Sequence, residues 1–278
     1  GVGCQMTYHL MNGKIRHIEG LDGPANEKRL CVKGRFGFDY IEHPHRLTKP
    51  LIRKDGVAKS GTDTVDPANP LTHFREASWE EALEYAANGL RRLRDKHGPK
   101  SLAGFGSAKC SNEEAYLFQK LVRSVFGSNN VDHCTRLCHA SSVSALIEGI
   151  GSGAVTAPFY DALNADCIIV IGTRPTENHP VAATYFKQAS KNGATLILMD
   201  PRGSGLARHT NHHLKFTGGT DVALLNAMLH VIVTEDLIDR DFIYKHTEGF
   251  EALAERIKNY PPEEMSSVCG IDANTIRT

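Results

Sequence analysis

Two cysteines and two histidines lie within seven residues, at His133, Cys134, Cys138 and His139. Thiolates and imidazoles are the ligands that soft and borderline transition metals prefer. Cys138 is followed directly by His139, so a potential anionic ligand lies beside a group that exchanges a proton near neutral pH. Free cysteines are more often small buried hydrophobic residues, but the neighbours here are polar or charged. The pattern therefore predicts a metal site in which Cys138 or Cys134 is the thiolate.

The composition argues against several classes of partner. Hydrophobic residues make up 41% and charged residues 23% of the 278 residues, as in ordinary globular proteins. Basic and acidic residues number 32 each, so no net charge attracts nucleic acid or an anionic membrane. The longest apolar run, residues 167–171, is far too short to cross a bilayer. We therefore expect no nucleic acid and no membrane insertion.

The seven cysteines form an odd set that is spread over the whole chain. Such a set does not fit a disulfide framework, and reduced thiols are typical of a cytoplasmic protein. No signal peptide or twin-arginine leader is visible. We assign Cys110, Cys167 and Cys269 to packing.

Residues 1–60 are rich in Gly, Pro, Arg and His and carry no long helical period. Alternation after an Asn-Gly turn at residues 12–13 predicts an exposed strand over residues 13–20. Ser78 and Glu81 have the spacing of a capping box, which predicts a helix over residues 79–97.

A strand, a turn and a helix follow. The strand is predicted over residues 101–105, the turn over residues 106–109 and the helix over residues 112–126, where Ser111 and Glu114 form its capping box. A turn of small residues before a helix N-terminus is a geometry that binds anions. A plain connection is an equally good interpretation.

From residue 134 onward, predicted helices alternate with predicted strands. The helices are expected over residues 140–148, 180–191, 222–235 and 250–260. The strands are expected over residues 167–172, 194–200 and 212–216. This alternation predicts a parallel, doubly wound sheet, in which ligands bind beyond the carboxyl ends of the strands.

Polar residues follow these predicted strands. They are Thr173, Arg174, Glu177, Asn178, Asp200, Arg202, Thr220 and Asp221. A carboxylate after the second strand, such as Asp200, is where a ribose hydroxyl is commonly bound. The first strand is not followed by the G-x-G-x-x-G fingerprint of nicotinamide cofactors. Asp221 is either a ligand or the N-cap of the next helix. The pattern predicts a nucleotide-like ligand on a parallel sheet.

Residues 130–139, Asn-Val-Asp-His-Cys-Thr-Arg-Leu-Cys-His, resemble the active-site segment of the catalytic (alpha) subunit of molybdopterin-dependent formate dehydrogenases, which belong to the molybdopterin oxidoreductase superfamily. The resemblance covers essentially the whole chain in order. It continues through residues 31–40, 172–180, 200–202 and 219–221.

The resemblance implies an α/β fold in which doubly wound, parallel-sheet dinucleotide-binding domains follow a small iron–sulfur domain. It places the iron–sulfur domain at residues 1–60, a first molybdopterin domain at residues 61–133 and a second, guanine dinucleotide-binding domain at residues 134–278. All three are expected to be partial, so we expect a fragment that is incomplete at both ends.

The resemblance also implies the cofactors. Cys138 would bind molybdenum or tungsten directly, His139 would lie beside it, and Cys134 would not be a ligand. The metal would be held by two molybdopterin guanine dinucleotides. One dinucleotide would lie against Arg174, Glu177, Asn178, Asp200, Arg202, Asp221 and the main chain at Gly172 and Gly219.

A [4Fe–4S] cluster is implied at the N-terminus, where Cys4 and Cys31 match the last two of its four thiolate ligands. The first two ligands are not present in the sequence. Lys33 matches the lysine that lies between cluster and pterin. The arginine that orients formate is expected beyond residue 278.

The implied activity is the two-electron oxidation of formate to carbon dioxide, or its reverse, with the electrons leaving through the cluster. His139 would accept a proton or hold the charged substrate. Diaphorase or iron–sulfur subunits are the expected electron-transfer partners.

Three alternatives remain open. The first is a nitrate reductase of the superfamily, although these enzymes usually have Met after the ligand Cys. The second is a non-catalytic electron-transfer subunit of the superfamily, although such subunits generally lack the Cys-His pair. A zinc site built from the two cysteines and two histidines would lack a second, separated ligand pair.

Overall fold

The computed structural model describes residues 1–59, 61 and 64–278. The chain forms two compact units. The first unit combines Gly1–Phe38 with Ala157–Thr278, and the second unit is Asp39–Thr156. The division into three domains at residues 60 and 133 stays a prediction, because compactness alone does not test where family domains begin.

The described residues contain short strands that form four separate sheets. In chain order the strands are β1 Met6–Met11, β2 Lys14–Gly20, β3 Leu51–Arg53, β4 Phe74–Glu76, β5 Gly104–Gly106, β6 Val131–His133, β7 Cys167–Ile171, β8 Thr195–Met199 and β9 His212–Leu214. The β1–β2 and β3–β4 pairs are antiparallel, whereas β5–β6 and β7–β8–β9 are parallel.

Helices connect and cover these strands. They are α1 Val32–Phe36, α2 Trp79–His97, α3 Asn112–Lys120, α4 Thr135–Cys138, α5 Ala140–Ile150, α6 Pro175–Asn178, α7 Pro180–Lys191, α8 Asp221–Thr234, α9 Arg240–His246, α10 Phe250–Ile257, α11 Pro262–Cys269 and α12 Ala273–Arg277. Over the part of the chain that the structure describes, none of these helices combines the length and the apolar character needed to cross a membrane.

The three-stranded parallel sheet is the centre of the first unit. Its strands lie in the order β7–β8–β9, and their carboxyl ends are aligned, with Ile171 opposite Met199 and Met199 opposite Leu214. Residues that follow each strand therefore emerge at one edge of the sheet. This edge is where a doubly wound fold binds its ligand.

Helices cover both faces of this sheet. Leu196 and Leu198 of β8 are fully buried on the face that Phe186 of α7 covers. Met199, at the end of β8, packs on the opposite side with Leu224 of α8. Parallel sheets are stable when both faces are buried in this way. The predicted doubly wound arrangement is confirmed.

The N-terminal hairpin pairs β1 with β2, and its register shifts between His9 and Leu10. The sequence predicted β2 but not β1, because this bulge interrupts the alternation of apolar and polar residues. The hairpin keeps Ile18 buried, at 3% exposure, although most of its other side chains are exposed.

The two capped helices of the second unit form as predicted. Ser78 Oγ accepts a hydrogen bond from the Glu81 amide at 3.2 Å, but the Glu81 carboxylate pairs with Arg75 at 2.6 Å and leaves the box half formed. At α3 the box is complete, with Ser111 and Glu114 exchanging both bonds. The predicted helix over residues 112–126 is continuous, but its last six residues, Leu121–Phe126, widen into a π-helix.

Two of the three cysteines that we assigned to packing are exposed. Cys269 is fully buried in the core, as predicted. Cys110 is exposed because it lies in the turn before the Ser111 cap, and Cys167 is exposed because it begins β7, an edge strand. For these two residues the prediction is wrong.

Candidate metal and cofactor site

The segment that holds both candidate thiolates begins at the carboxyl edge of the β5–β6 sheet. The two strands end side by side, with Gly106 opposite His133, and Cys134 is the next residue. The single turn of α4 leads to Cys138, and His139 separates α4 from α5. Cys138 and His139 are both exposed. The predicted metal ligand therefore lies one helical turn beyond a parallel-sheet edge and is open to a bound group.

Cys134 interacts with the turn that follows β5. The Ala108 amide donates a hydrogen bond to Cys134 Sγ at 3.1 Å. The turn over residues 106–109, for which we predicted either anion binding or a plain connection, thus directs one of its amides at this sulfur.

His133 is held within its own loop. Its Nδ1 accepts a hydrogen bond from the Thr135 amide at 3.2 Å and lies 2.8 Å from the Thr135 hydroxyl. Because Nδ1 is an acceptor, the proton of a neutral ring is on Nε2. Beside it, the Arg136 guanidinium, bonded at 2.8 Å, and the His133 amide lower the pKa of the Asp132 carboxyl. These contacts fix the loop that leads to Cys138.

The zinc alternative gains no support from this geometry. In the described residues, His133, Cys134, Cys138 and His139 do not bring three ligand atoms within reach of one ion. Cys134 and His133 are instead engaged by Ala108 and Thr135.

The two predicted cluster cysteines lie in the first unit. Cys4 and Cys31 are free and partly buried, and Cys31 is the N-cap of α1. Burial raises the pKa of the Cys4 thiol, and the nearby Cys31 raises it further. The Cys31 sulfur therefore lies near enough to Cys4 to disfavour a negative charge on the Cys4 sulfur. Lys33 is exposed on α1, two residues after Cys31.

A buried asparagine holds the two cysteine loops together. Asn26, with no exposed surface, accepts a hydrogen bond from the Gln5 amide at 2.9 Å and donates to the Gln5 carbonyl at 3.1 Å. The same amide group donates to the carbonyls of Leu21 and Arg29 at 3.2 and 3.0 Å. Gln5 follows Cys4 directly in the sequence. Sequence patterns missed Asn26, because nothing in its neighbours distinguishes a buried asparagine from a turn residue.

Two glycines lie in or after the carboxyl edge of the β7–β8–β9 sheet. Gly172 follows β7 with a φ of +62°, and Gly219 has a φ of +85° shortly before α8. Neither has an atom of the described residues within 4 Å of the position that a Cβ would take. Both glycines thus combine a left-handed backbone with open space, which allows a ligand to approach the main chain closely.

Arg174 and Glu177 lie at the start of α6, beyond β7. Arg174 Nε is 2.9 Å from Glu177 Oε2, yet this buried nitrogen makes no hydrogen bond of good geometry within the described residues. Asn178, at the end of α6, and Glu177 are exposed. The Glu177 carboxylate thus compensates the charge of Arg174 without completing its hydrogen bonding.

Asp200 and Asp221 differ in their surroundings. Asp200 is 5% exposed, and its Oδ1 accepts a hydrogen bond from the Arg202 amide at 2.7 Å. Asp221 is the first residue of α8, whose N-cap is Thr220, so the N-cap interpretation of Asp221 is wrong. The Thr220 hydroxyl donates instead to the Thr217 carbonyl at 2.6 Å.

The structure thus separates the predicted residues into two sets. Cys138 and His139 lie in the second unit. All the others lie in the first unit, namely Cys4, Cys31, Lys33, Gly172, Arg174, Glu177, Asn178, Asp200, Arg202, Gly219 and Asp221. Their roles stay predictions.

Comparison with known families assigns the chain. Residues 46–260 match the model of the molybdopterin oxidoreductase family. The chain belongs to that family. Residues 1–43 match the Fe4S4 domain of molybdopterin oxidoreductases. Cys4 and Cys31 both lie within this matched range.

Several relatives of this molybdopterin oxidoreductase are formate dehydrogenases by name. The F420-dependent formate dehydrogenase subunit alpha of Methanocaldococcus jannaschii is 40% identical over 277 residues, 99% of this chain and 38% of the relative. Formate dehydrogenase H of Escherichia coli is 36% identical over 280 residues, 99% of this chain and 37% of the relative. The chain therefore spans less than two fifths of the length of these relatives.

Among solved structures, acetylene hydratase from Pelobacter acetylenicus matches with a TM-score of 0.76 and 25% identity, over 99% of this chain and 36% of that chain. The predicted α/β fold with an N-terminal iron–sulfur domain is confirmed.

The family's cofactors are a molybdenum-bound molybdopterin and a 4Fe–4S cluster. Two features of the first unit fit a pterin nucleotide: the open left-handed glycines and the Arg174 guanidinium at the start of α6, whose Nε pairs with Glu177 but makes no hydrogen bond of good geometry in the described residues. Two partly buried, interacting thiols fit a cluster that thiolates bind.

Proposed function

We propose that this molybdopterin oxidoreductase catalyses the two-electron oxidation of formate, HCOO⁻ → CO₂ + H⁺ + 2 e⁻, or its reverse. The observation that carries the proposal is the exposed Cys138–His139 pair beyond the carboxyl edge of the β5–β6 sheet. The names of the two relatives described above support the choice of formate. The likeness to acetylene hydratase concerns the fold and is lower in identity.

Cys138 is the proposed metal ligand. Its exposure leaves the sulfur accessible to a large cofactor, and its place at the end of α4 keeps the sulfur on a short, hydrogen-bonded turn. Thiolate is a suitable ligand for a soft metal centre. Cys138 would hold a molybdenum or tungsten centre, which would supply two-electron redox chemistry, and Cys4 and Cys31 would hold a cluster that would supply one-electron transfer.

His139 is the proposed proton acceptor, or a cation that holds formate. It is exposed at the break between α4 and α5, so its ring is free to face a ligand beside Cys138. A histidine is suited to either role because its ordinary pKa lies close to neutral pH.

Residues of the first unit would bind one guanine dinucleotide of a bis-dinucleotide cofactor. The Arg174 guanidinium at the start of α6 would bind an anionic or carbonyl oxygen, and main-chain groups at Gly172 and Gly219 are open to close approach. The buried Asp200 and the partly exposed Asp221 are the proposed acceptors for hydroxyl or amine donors of the nucleotide. Glu177, Asn178 and Arg202 line the same edge.

Cys4 and Cys31 are the proposed cluster ligands, and Lys33 is the proposed residue between cluster and pterin. The electrons would leave to a diaphorase or iron–sulfur partner subunit in the cytoplasm.

The test compares Cys138→Ala with the matched variant Cys134→Ala in cofactor-loaded protein. Formate-dependent reduction of a dye, nitrate-dependent oxidation of a reduced dye, and the contents of molybdenum, tungsten, iron and zinc are measured. We expect Cys138→Ala to abolish formate oxidation while pterin remains bound, because the metal loses its protein ligand. Cys134→Ala should keep most activity.

Full formate oxidation by Cys138→Ala at normal metal content would refute the ligand assignment. Nitrate reduction without formate oxidation by the unaltered protein would favour the nitrate reductase alternative. Zinc in place of molybdenum or tungsten would overturn the proposal as a whole.

A further inference from the structure

A second cluster of potential metal ligands lies on the N-terminal hairpin. His9 of β1 is directly opposite His17 of β2, and Thr7 is directly opposite Glu19. Glu19 is therefore the diagonal neighbour of His9. His17 and Glu19 flank the buried Ile18, so both point to the face of the strand that Ile18 does not occupy. Three side chains with ligand atoms thus share one face of a two-stranded sheet.

The three side chains converge. His9 Nε2 is 3.0 Å from Glu19 Oε2. The rings of His9 and His17 are stacked, with centroids 4.1 Å apart and planes 8° from parallel. One ligand atom from each of the three residues lies within 4.8 Å of the others. In the described part of the chain no other group of three histidine, cysteine or acidic side chains meets this condition.

This arrangement needs little change to bind an ion. A tetrahedral ion with bonds of about 2.0–2.1 Å to nitrogen and oxygen requires donor atoms about 3.3 Å apart. The His9–Glu19 pair already has nearly this spacing. The two rings are stacked and their nitrogens lie in nearly parallel planes, so ion binding requires the exposed His17 ring to rotate about its side-chain torsions toward the His9–Glu19 pair.

The chemistry of the ligands defines the class of ion. Two imidazoles and one carboxylate suit zinc and the neighbouring divalent ions nickel and copper, whereas calcium and magnesium prefer sites with oxygen ligands alone. Three protein ligands leave a coordination position for water. The ligands come from both strands, so a bound ion also joins the strands of the hairpin that begins two residues after Cys4.

We propose that His9, His17 and Glu19 form a binding site for a divalent transition-metal ion of the group zinc, nickel and copper. The site is separate in sequence and in ligand type from the thiolates of the proposed cluster and metal centre. It does not depend on the proposed activity, because ion binding to the hairpin is measured without turnover.

The experiment titrates zinc into the full, cofactor-loaded chain by calorimetry. The unaltered protein is compared with His9→Gln, His17→Gln and Glu19→Gln, and with His97→Gln as a control at an exposed histidine of the second unit. We expect the affinity for one zinc equivalent to fall by about tenfold or more in each hairpin variant. Loss of a group that merely hydrogen-bonds to a metal ligand already weakens metal binding by about tenfold or more, and loss of the ligand itself should weaken it at least as much. His97→Gln should bind like the unaltered protein.

Cobalt serves as a second probe. A site without sulfur ligands should give no sulfur-to-cobalt charge-transfer band in the difference spectrum, which distinguishes it from binding at free thiols. Unchanged iron–sulfur absorption in His17→Gln shows that the hairpin is still folded. Equal zinc affinity in the unaltered protein and all three hairpin variants, or the absence of a zinc equivalent outside the thiols, would overturn the proposal.

Discussion

Asn26 shows how one buried side chain can organise a site without touching its chemistry. Its amide group makes four hydrogen bonds to the main chain, two of them to Gln5, the residue after Cys4. The bond to the Arg29 carbonyl fixes the chain two residues before Cys31. The spacing of the two thiols thus depends on a residue that binds neither iron nor sulfur.

We expect Asn26→Ala to lower the free energy of unfolding by about 2–4 kcal/mol, because it leaves several buried main-chain groups without partners. Iron content should fall with it. Urea denaturation and iron analysis measure the two effects, with the exposed Asn164→Ala in the same unit as control. A stable variant with full iron content would show that the loops do not need this amide.

The sequence identified residues whose type and spacing carry chemistry, such as Cys138 and His139. It could not identify residues whose role depends on burial. Asn26 gained its role because the loop between β2 and α1 folds around it, and Arg174 gained a buried nitrogen from the packing of α6. Both effects arise from tertiary structure, which a pattern along the chain does not contain.

At the scale of elements, a glycine with a left-handed backbone lies near each end of the β7–β8–β9 sheet, but only one of them lies at the proposed cofactor edge. Gly172 lies at the carboxyl edge, and Gly193 lies in the connection that leads into the amino end of β8. Both have a left-handed backbone, with φ of +62° and +107°, and no described atom lies near either Cβ position. They therefore form a matched pair for testing the cofactor edge.

We predict that Gly172→Ala and Gly193→Ala each destabilise the protein by about 1–2 kcal/mol through backbone strain. Only Gly172→Ala should also lower the pterin content, because its methyl group occupies space that the cofactor is proposed to approach. Thermal unfolding and fluorescence of the oxidised pterin measure the two effects. Equal pterin content in both variants would contradict the placement of the dinucleotide.

Elements with strong local signals were predicted closely. The helix predicted over residues 79–97 matches α2, because Ser78 marks its start and Gly98 its end. The strands β3 and β4 have three residues each and were not predicted, since so short a segment has no measurable period. The π-helix Leu121–Phe126 also escaped prediction, because it continues the apolar face of α3 without a break in composition.

At the scale of the whole molecule, the response to acid depends on how folding changes the pKa of His209. Burial, followed by the charges of Arg208, Lys187 and Lys191, lowers the pKa of His209. The Arg208 Nε lies 3.2 Å from His209 Nε2, a contact that requires this nitrogen to accept. The unfolded chain therefore binds a proton at His209 more readily than the folded chain does.

We predict that stability falls as the pH drops below the ordinary histidine pKa of about 6.5, because protons then favour the unfolded state. His209→Gln should make this fall shallower between about pH 7 and pH 5. Denaturant unfolding over this range measures the slope, with His97→Gln as control. The same slope in His209→Gln and the unaltered protein would contradict the assignment.

The first compact unit has a consequence for how the protein is made, because it joins Gly1–Phe38 to Ala157–Thr278 across the entire second unit. The early segment packs on the late one: the Tyr185 hydroxyl donates to the Ala25 carbonyl at 3.4 Å, and Arg29 lies 5.1 Å from the Tyr185 ring centroid. A ribosome synthesises the chain from its N-terminus at about 5–20 residues per second. The cysteine loops therefore emerge long before their packing partners, so we expect iron–sulfur insertion to follow translation of Tyr185 and nascent chains to need shielding from premature oxidation.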